Sequence, residues 1–445
     1  MNKLERMNKS LLPIISLCLI NLCAFGQDFQ KVKLDSFFHA LEKHDKFMGT
    51  ICIAQKGQAI YSTSLGYADV QEKKRATATT EYRIGSISKT FTSVLVLKAV
   101  EEGKLTLDQH IQSFFPELAE AEHITIRHLL QHKSGINNFT NRPDYLSWSG
   151  QSKNSDEILQ IIASGGSDFM PGTKTAYSNS NFVLLTFILE TTYGVPYREL
   201  LKRNITGKVG MQHTFVGSKI DTSKGEAKSY RRQAGWQLEQ ETDMSIPGGA
   251  GAIVSTAQDL VEFSEALFGG KLLTAKSLEI MKTLDNVFGL GIMRIPFYEK
   301  TGYGHGGNID GFSSMLIHFD EGDVTYAAIS NGSAINMNDV TVAALSAVYG
   351  KPVQVPQYSD YKPSEEELGK YVGNYNSKDI PLEISITIAD GVLMAQATGQ
   401  SAFPLESTAV HQFKFDAAQI RIHFDPSKLS MKLLQGGKTY NYNKK

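Results

Sequence analysis

The chain has 445 residues, of which 41% are hydrophobic and 20% charged, and its formal net charge is −1. That length suits two or three domains with at least one large core. The balanced charge, with no long run of one sign, gives no electrostatic footing for nucleic-acid binding, and no fixed-period repeat or low-complexity tract suggests a solenoid or fibrous class.

The first stretch, "MNKLERMNKS", carries Lys3, Arg6 and Lys9 and is followed by the apolar "LLPIISLCLINLCAF" and small residues at Ala24 and Gly26. This pattern predicts a signal peptide over residues 1–26 and export to the periplasm or the extracellular space. The apolar run is shorter than the roughly 20 residues of a comfortable membrane span, so no transmembrane segment is expected after cleavage. Cys18 and Cys23 leave with it. Cys52 remains in "GTICIAQ", which excludes an intramolecular disulfide in the mature chain and reads as a small buried hydrophobe.

"DFQKVKLDSFFHALEKHDKF" has helical apolar spacing at Val32, Leu34, Phe37, Phe38 and Leu41. "GTICIAQKGQAIYSTSLGYADV" predicts two strands around a Lys-Gly-Gln turn. Helix signals then dominate from Ser86 to about Leu200, with Gly103, Gly135, Gly165 and Gly194 at expected stops. Strands return in "GHGGNIDGFSSMLIHFD" and "VTYAAISNG", and "INMNDVTVAALSAVYG" closes as a helix. The segment 353–366, rich in Pro and polar residues, is the expected linker between a unit spanning 27–352 and a tail at 367–445. The tail consists of short alternating segments separated by turn signals and predicts a small all-β domain.

Three motifs carry chemistry. In "YRIGSISKTF", Ser86 and Lys89 stand three apart at a helix start, so one face can hold a hydroxyl and an amine together. A serine attacks a carbonyl only when a base takes its proton, and a lysine serves only when burial or neighbouring cations keep it neutral. The Ser86 N–H at that helix start is a ready oxyanion donor. In "TAYSNSNFVLL", Tyr177 offers a phenol whose pKa a nearby lysine would depress, and Asn179 an amide for an acyl carbonyl or for Lys89. In "YGHGGNIDGF", His305 and two glycines precede a strand; Gly307 lets backbone approach closely, and the Asn308 N–H could complete an oxyanion hole.

Ser-x-x-Lys, Tyr-x-Asn and His-x-Gly, in this order, resemble the motifs of the serine β-lactamase-like hydrolases, in particular the class C, DD-peptidase, esterase and D-aminopeptidase group. "ITIRHLLQHKSGI", "VGMQHT" and "GGAGAIVSTAQDLVEFSEALF" extend the resemblance over about residues 30–350. It implies an α/β fold: a β-lactamase/transpeptidase-like antiparallel sheet flanked by helices, with a mostly helical insertion and a small barrel-like all-β tail. It also implies acyl transfer without metal or cofactor. Ser86 is the implied nucleophile, Lys89 and Tyr177 share acid/base work in an order left open, and Asn179 orients the acyl group. His305 lines the opposite wall and positions either Tyr177 or a substrate polar group; Gly307 and Asn308 belong to the substrate-binding strand. The implied substrate is a small molecule or peptide bearing an amide or ester. A β-lactamase or DD-carboxypeptidase stands as the alternative, and a non-catalytic binding homologue as another.

The third motif departs from the Lys-Thr-Gly or Lys-Ser-Gly of efficient β-lactamases. A neutral imidazole is a poorer clamp for a carboxylate, so His305 turns the expectation toward peptides and esters. No G-x-S-x-G is present to support an α/β-hydrolase elbow. His128 and His132 have metal-like spacing but no H-E-x-x-H, and read more simply as helix-end residues. Arg231 and Arg232 in "YRRQAG" read as loop surface, or as a cation for a substrate carboxylate.

Overall fold

The structure, a computed structural model, describes residues 29–233, 235–415 and 418–445. The expected signal peptide, with Cys18 and Cys23, lies outside them. The first described helix, α1 (Lys31–Lys43), buries Leu34, Phe37, Phe38 and Leu41, the apolar stripe that its spacing demands. It leads into β1 (Phe47–Gln55) and β2 (Gln58–Leu65), joined by Lys56 and Gly57, both at positive φ as a two-residue hairpin turn needs.

The helical insertion follows. Two of its helices, α2 (Ser88–Glu101) and α3 (Asn179–Tyr193), are buried on nearly every face rather than along one stripe, and their buried residues include polar ones at the N-terminal turns. The expected helix in "TIRHLLQHKSG" is only Ile126–Leu130, and the left-handed cap after Ser155–Gly165 is Gly166 rather than Gly165. A further helix, α4 (Ala257–Phe268), packs beneath the sheet.

The chain then returns to the sheet through β3 (Met293–Phe297), β4 (Lys300–Ile309), β5 (Phe312–Phe319) and β6 (Val324–Ser333), and α5 (Met337–Val348) packs against α1. The antiparallel order is β3-β4-β5-β6-β1-β2, with Ile51 opposite Ala328 across the β1–β6 seam. Side-chain alternation divides β1 between two cores. Ile51 and Ile53 join the α1/α5 layer, while Cys52 and Ala54 face α4 and the helical insertion. Both faces are covered, which is why β1 reads as an unbroken apolar run. Burial pushes the Cys52 thiol up to about 12, consistent with an inert packing residue.

Residues 351–364 have no regular secondary structure, and a short helix, Glu365–Gly369, is capped by Ser364. Beyond it lies a nine-stranded antiparallel sheet with its own apolar core. Its two edges, Phe403–Pro404 and Glu406–Ala409, are joined through Leu405 alone, so the sheet must curl almost into a barrel. Lys46 pairs with Glu406 at 2.5 Å and Lys43 with Asp360 at 2.9 Å, tying this tail to the start of the chain.

Candidate active site

Ser86 occupies a 3-10 turn, Gly85–Ile87, that runs directly into α2. One turn on, Lys89 projects from the same face with its Nζ 3.0 Å from Ser86 Oγ. From the far side Tyr177, just ahead of α3, brings its hydroxyl to 2.7 Å from the same oxygen. Ser86 and Tyr177 are partly exposed, whereas Lys89 is 0% exposed.

Lys89 Nζ also lies 2.7 Å from Asn179 Oδ1 and 2.8 Å from the Ala250 carbonyl oxygen. A neutral amine has two N–H bonds and one lone pair. The two acceptors take the N–H bonds, and the lone pair is left toward Ser86 Oγ. Burial holds Lys89 well below its ordinary value, in the form able to accept a serine proton. Asn179 is itself oriented, since its Nδ2 donates to Thr140 Oγ1 at 3.0 Å.

Tyr177 reverses the expected sign. Burial pushes its phenol up to about 12, and the hydrogen bond to Ser86 offsets this only in part. A neutral amine supplies no charge to hold a phenolate, so at neutral pH Tyr177 is a proton donor.

His305 lies on the face of β4 that looks toward the helical insertion and is 3% exposed. Its Nδ1 stands 2.5 Å from the Gly306 carbonyl, so Nδ1 carries the proton, and burial pulls the ring down to about 4. Its centroid is 6.2 Å from that of Tyr177. A neutral ring therefore stands where a β-lactamase would place a cation.

The strand comes so near the nucleophile that only glycine fits. A Cβ on Gly307 would stand 2.0 Å from the Ile84 carbonyl oxygen and 3.0 Å from the Ser86 nitrogen. One on Gly85, at φ +50, would lie 2.8 Å from the Asn308 nitrogen. The backbone at Gly85 and Ser86 therefore lies directly against that at Gly307 and Asn308.

Sequence reasoning passed over Arg83, although an arginine inside the apolar "YRIGSIS" was the available signal. Its guanidinium is buried and reaches Asp310 at 2.7 Å, Glu241 at 3.0 Å and the carbonyls of Thr242 and Ser218. Asp310 in turn accepts the Thr242 N–H and hydroxyl. Arg83 lies three residues before Ser86 and Asp310 two after Asn308, so this ion pair joins the segment ahead of the serine to the turn that follows β4.

His128 and His132 serve separate local roles. His128 closes a capping box with Thr125, and His132 Nδ1 accepts the Ser178 N–H at 3.2 Å. Among the described residues, Glu265 on α4, His318 on β5 and Asp323 in the turn before β6 bring metal-ligating atoms within 4.8 Å of one another. Arg231 and Arg232 lie in a hairpin rather than a loop: Arg231 pairs with Glu239 at 2.9 Å, and Arg232 covers the Trp236 ring. Arg231, Asn308 and Asp310 line an open cavity of 580 Å³.

The Beta-lactamase family matches residues 34–351, and the chain belongs to that family. A penicillin-binding protein of Bacillus subtilis (strain 168) is 25% identical over 88% of this chain and 93% of its own length. A D-amino acid amidase from Ochrobactrum anthropi SV3, solved with L-phenylalanine amide, superposes with a TM-score of 0.63 at 26% identity, covering 72% of this chain and 99% of the amidase. An octameric penicillin-binding protein homologue from Pyrococcus abyssi shares the fold over 93% of this chain and 99% of its own, with a TM-score of 0.66 at 22% identity. Fold and family make this chain a serine-hydrolase-type enzyme.

Two outcomes test the electrostatics. Lys89 keeps its proton in the unfolded chain up to its ordinary value of 10.5 but releases it on folding. Wild type therefore loses stability relative to Lys89→Met as pH falls below that value, by about 1.4 kcal/mol per pH unit until the native amine itself takes up a proton, and the gap is constant above it. Urea unfolding at several pH values reads the gap; a pH-independent gap would mean a charged native amine. Arg83→Met, which strands the buried Asp310 carboxylate, should cost about 3–5 kcal/mol. Glu241→Gln, at a carboxylate 36% exposed, should cost less than about 1 kcal/mol. Equal losses in the same assay would remove the buried-charge account.

Proposed function

We propose that this protein is an exported serine hydrolase that cleaves amides or esters, such as D-amino-acid amides and short peptides, through an acyl-enzyme on Ser86. The single observation that carries the proposal is that Ser86 Oγ lies at once 3.0 Å from the Lys89 amine and 2.7 Å from the Tyr177 hydroxyl. Lys89 takes the Ser86 proton as Oγ attacks the carbonyl. The Ser86 and Asn308 N–H groups hold the oxyanion, each donor worth about 3 kcal/mol of barrier. Tyr177 protonates the departing nitrogen or oxygen and recovers its proton from the Lys89 ammonium. Water then reverses the sequence and releases the acid. Asn179 holds Lys89 in place, His305 and Gly307 form the wall opposite, residues 27–352 are the catalytic unit, 353–366 the connection and 367–445 an appended β domain.

The substrate class follows from His305. Its ring is neutral and tied to the Gly306 carbonyl, so it offers no cation to a substrate carboxylate. The amidase relative supports amides. The penicillin-binding relative favours a second reading, a DD-carboxypeptidase or β-lactamase, which needs a cation from elsewhere on the wall.

A fluorophosphonate probe should label wild type and fail to label Ser86→Ala; wild type unlabelled by any acylating probe would favour a binding protein instead. Lys89→Met and Tyr177→Phe should each slow turnover by about 10²–10⁴-fold with the fold intact. Turnover screened across short acyl esters, D-amino-acid amides, D-Ala-D-Ala peptides and nitrocefin should favour the first two, and fast nitrocefin hydrolysis would reverse the substrate assignment.

A further inference from the structure

We infer that His132 is the positioning residue for Tyr177, fixing the phenol as proton donor to the leaving group; this rests on the proposed role of Tyr177. Three contacts converge on the tyrosine from this one residue. The His132 carbonyl accepts the Ala176 N–H at 2.9 Å, and its Nδ1 accepts the Ser178 N–H at 3.2 Å, so the residues on both sides of Tyr177 donate to His132. Its ring lies against the phenol ring with centroids 4.4 Å apart. Phe182 and Phe288 wall the imidazole at 5.3 and 5.1 Å, and its side chain is buried.

The helix end fixes where this residue stands. His132 sits at φ 57, the left-handed position that closes the Ile126–Leu130 helix, with its N–H on the Leu129 carbonyl and the Lys133 N–H on the His128 carbonyl at 2.8 Å. That conformation turns carbonyl and ring toward the same segment. Because Nδ1 accepts, the ring proton is on Nε2, which has no hydrogen-bond partner among the described residues. Such a buried orphan carries its own cost. Phenylalanine would avoid it but could not take the Ser178 N–H; asparagine could accept but has no ring to lie against Tyr177. Histidine alone of these does both. Neighbouring residues extend the grip, since the Lys133 carbonyl accepts the Gly172 N–H at 2.8 Å and Ser134 Oγ donates to Asn181 Oδ1 at 2.7 Å.

The test separates positioning from general support by varying the leaving group. p-Nitrophenolate departs without a proton, whereas ethoxide needs one. His132→Phe keeps the ring and His132→Asn keeps the acceptor. Each should lower kcat on ethyl butyrate by about tenfold or more beyond any loss on p-nitrophenyl butyrate, with KM little changed. Equal losses on both esters would reduce His132 to a structural residue and overturn the inference. Tyr177→Phe is the control: if it shows the same leaving-group selectivity while the His132 variants do not, only the positioning claim fails. If Tyr177→Phe is itself unselective, or wild type is inert to both esters, the reading of Tyr177 fails and takes this inference with it.

Discussion

The arrangement depends on placing a lysine amine in the interior without its charge. An isolated ammonium in an apolar core costs several kcal/mol, and the cost is avoided by release of the proton. Ser86, Asn179 and Ala250, which surround Lys89 Nζ, come from three distant parts of the sequence. Satisfying one nitrogen therefore fixes how α2, α3 and the loop ahead of α4 meet. The burial of α2 and α3 on nearly every face is the packing counterpart of that constraint.

Around this centre the fold uses rigid, desolvated contacts instead of flexible ones. The Arg83–Asp310 pair fastens the strand before the nucleophile to the turn after β4, and missing Cβ atoms at Gly85 and Gly307 allow the two backbones to touch. Preorganised dipoles and donors of this kind stabilise a developing charge without having to reorient during the reaction.

Much of this was legible in the sequence, for identifiable reasons. Ser86 and Lys89 are one helical turn apart, so local spacing already places them together. The β tail was legible from alternation, and the opening helix from its stripe. What escaped depends on partners far along the chain. The sign of the Tyr177 shift follows from burial beside a neutral amine, which no motif displays. Arg83 acquires meaning only from Asp310 and Glu241. His132 is the helix-end residue its position suggests, but its further contacts, to Ala176 and Ser178, lie more than forty positions later. The Beta-lactamase resemblance supplied the order of motifs but not these contacts.

The seam between β1 and β6 has a consequence for biogenesis. The second neighbour of β1 in the sheet, β6, comes about 270 residues later in the chain, so an N-terminal strand made early must wait for Val324–Ser333 before its second edge is covered. At ribosomal speeds that wait is on the order of ten seconds or more, during which a long apolar edge is open to mispairing. Nascent chains of this protein are thus committed to late, non-local assembly, and chaperone demand during synthesis is built into the strand order.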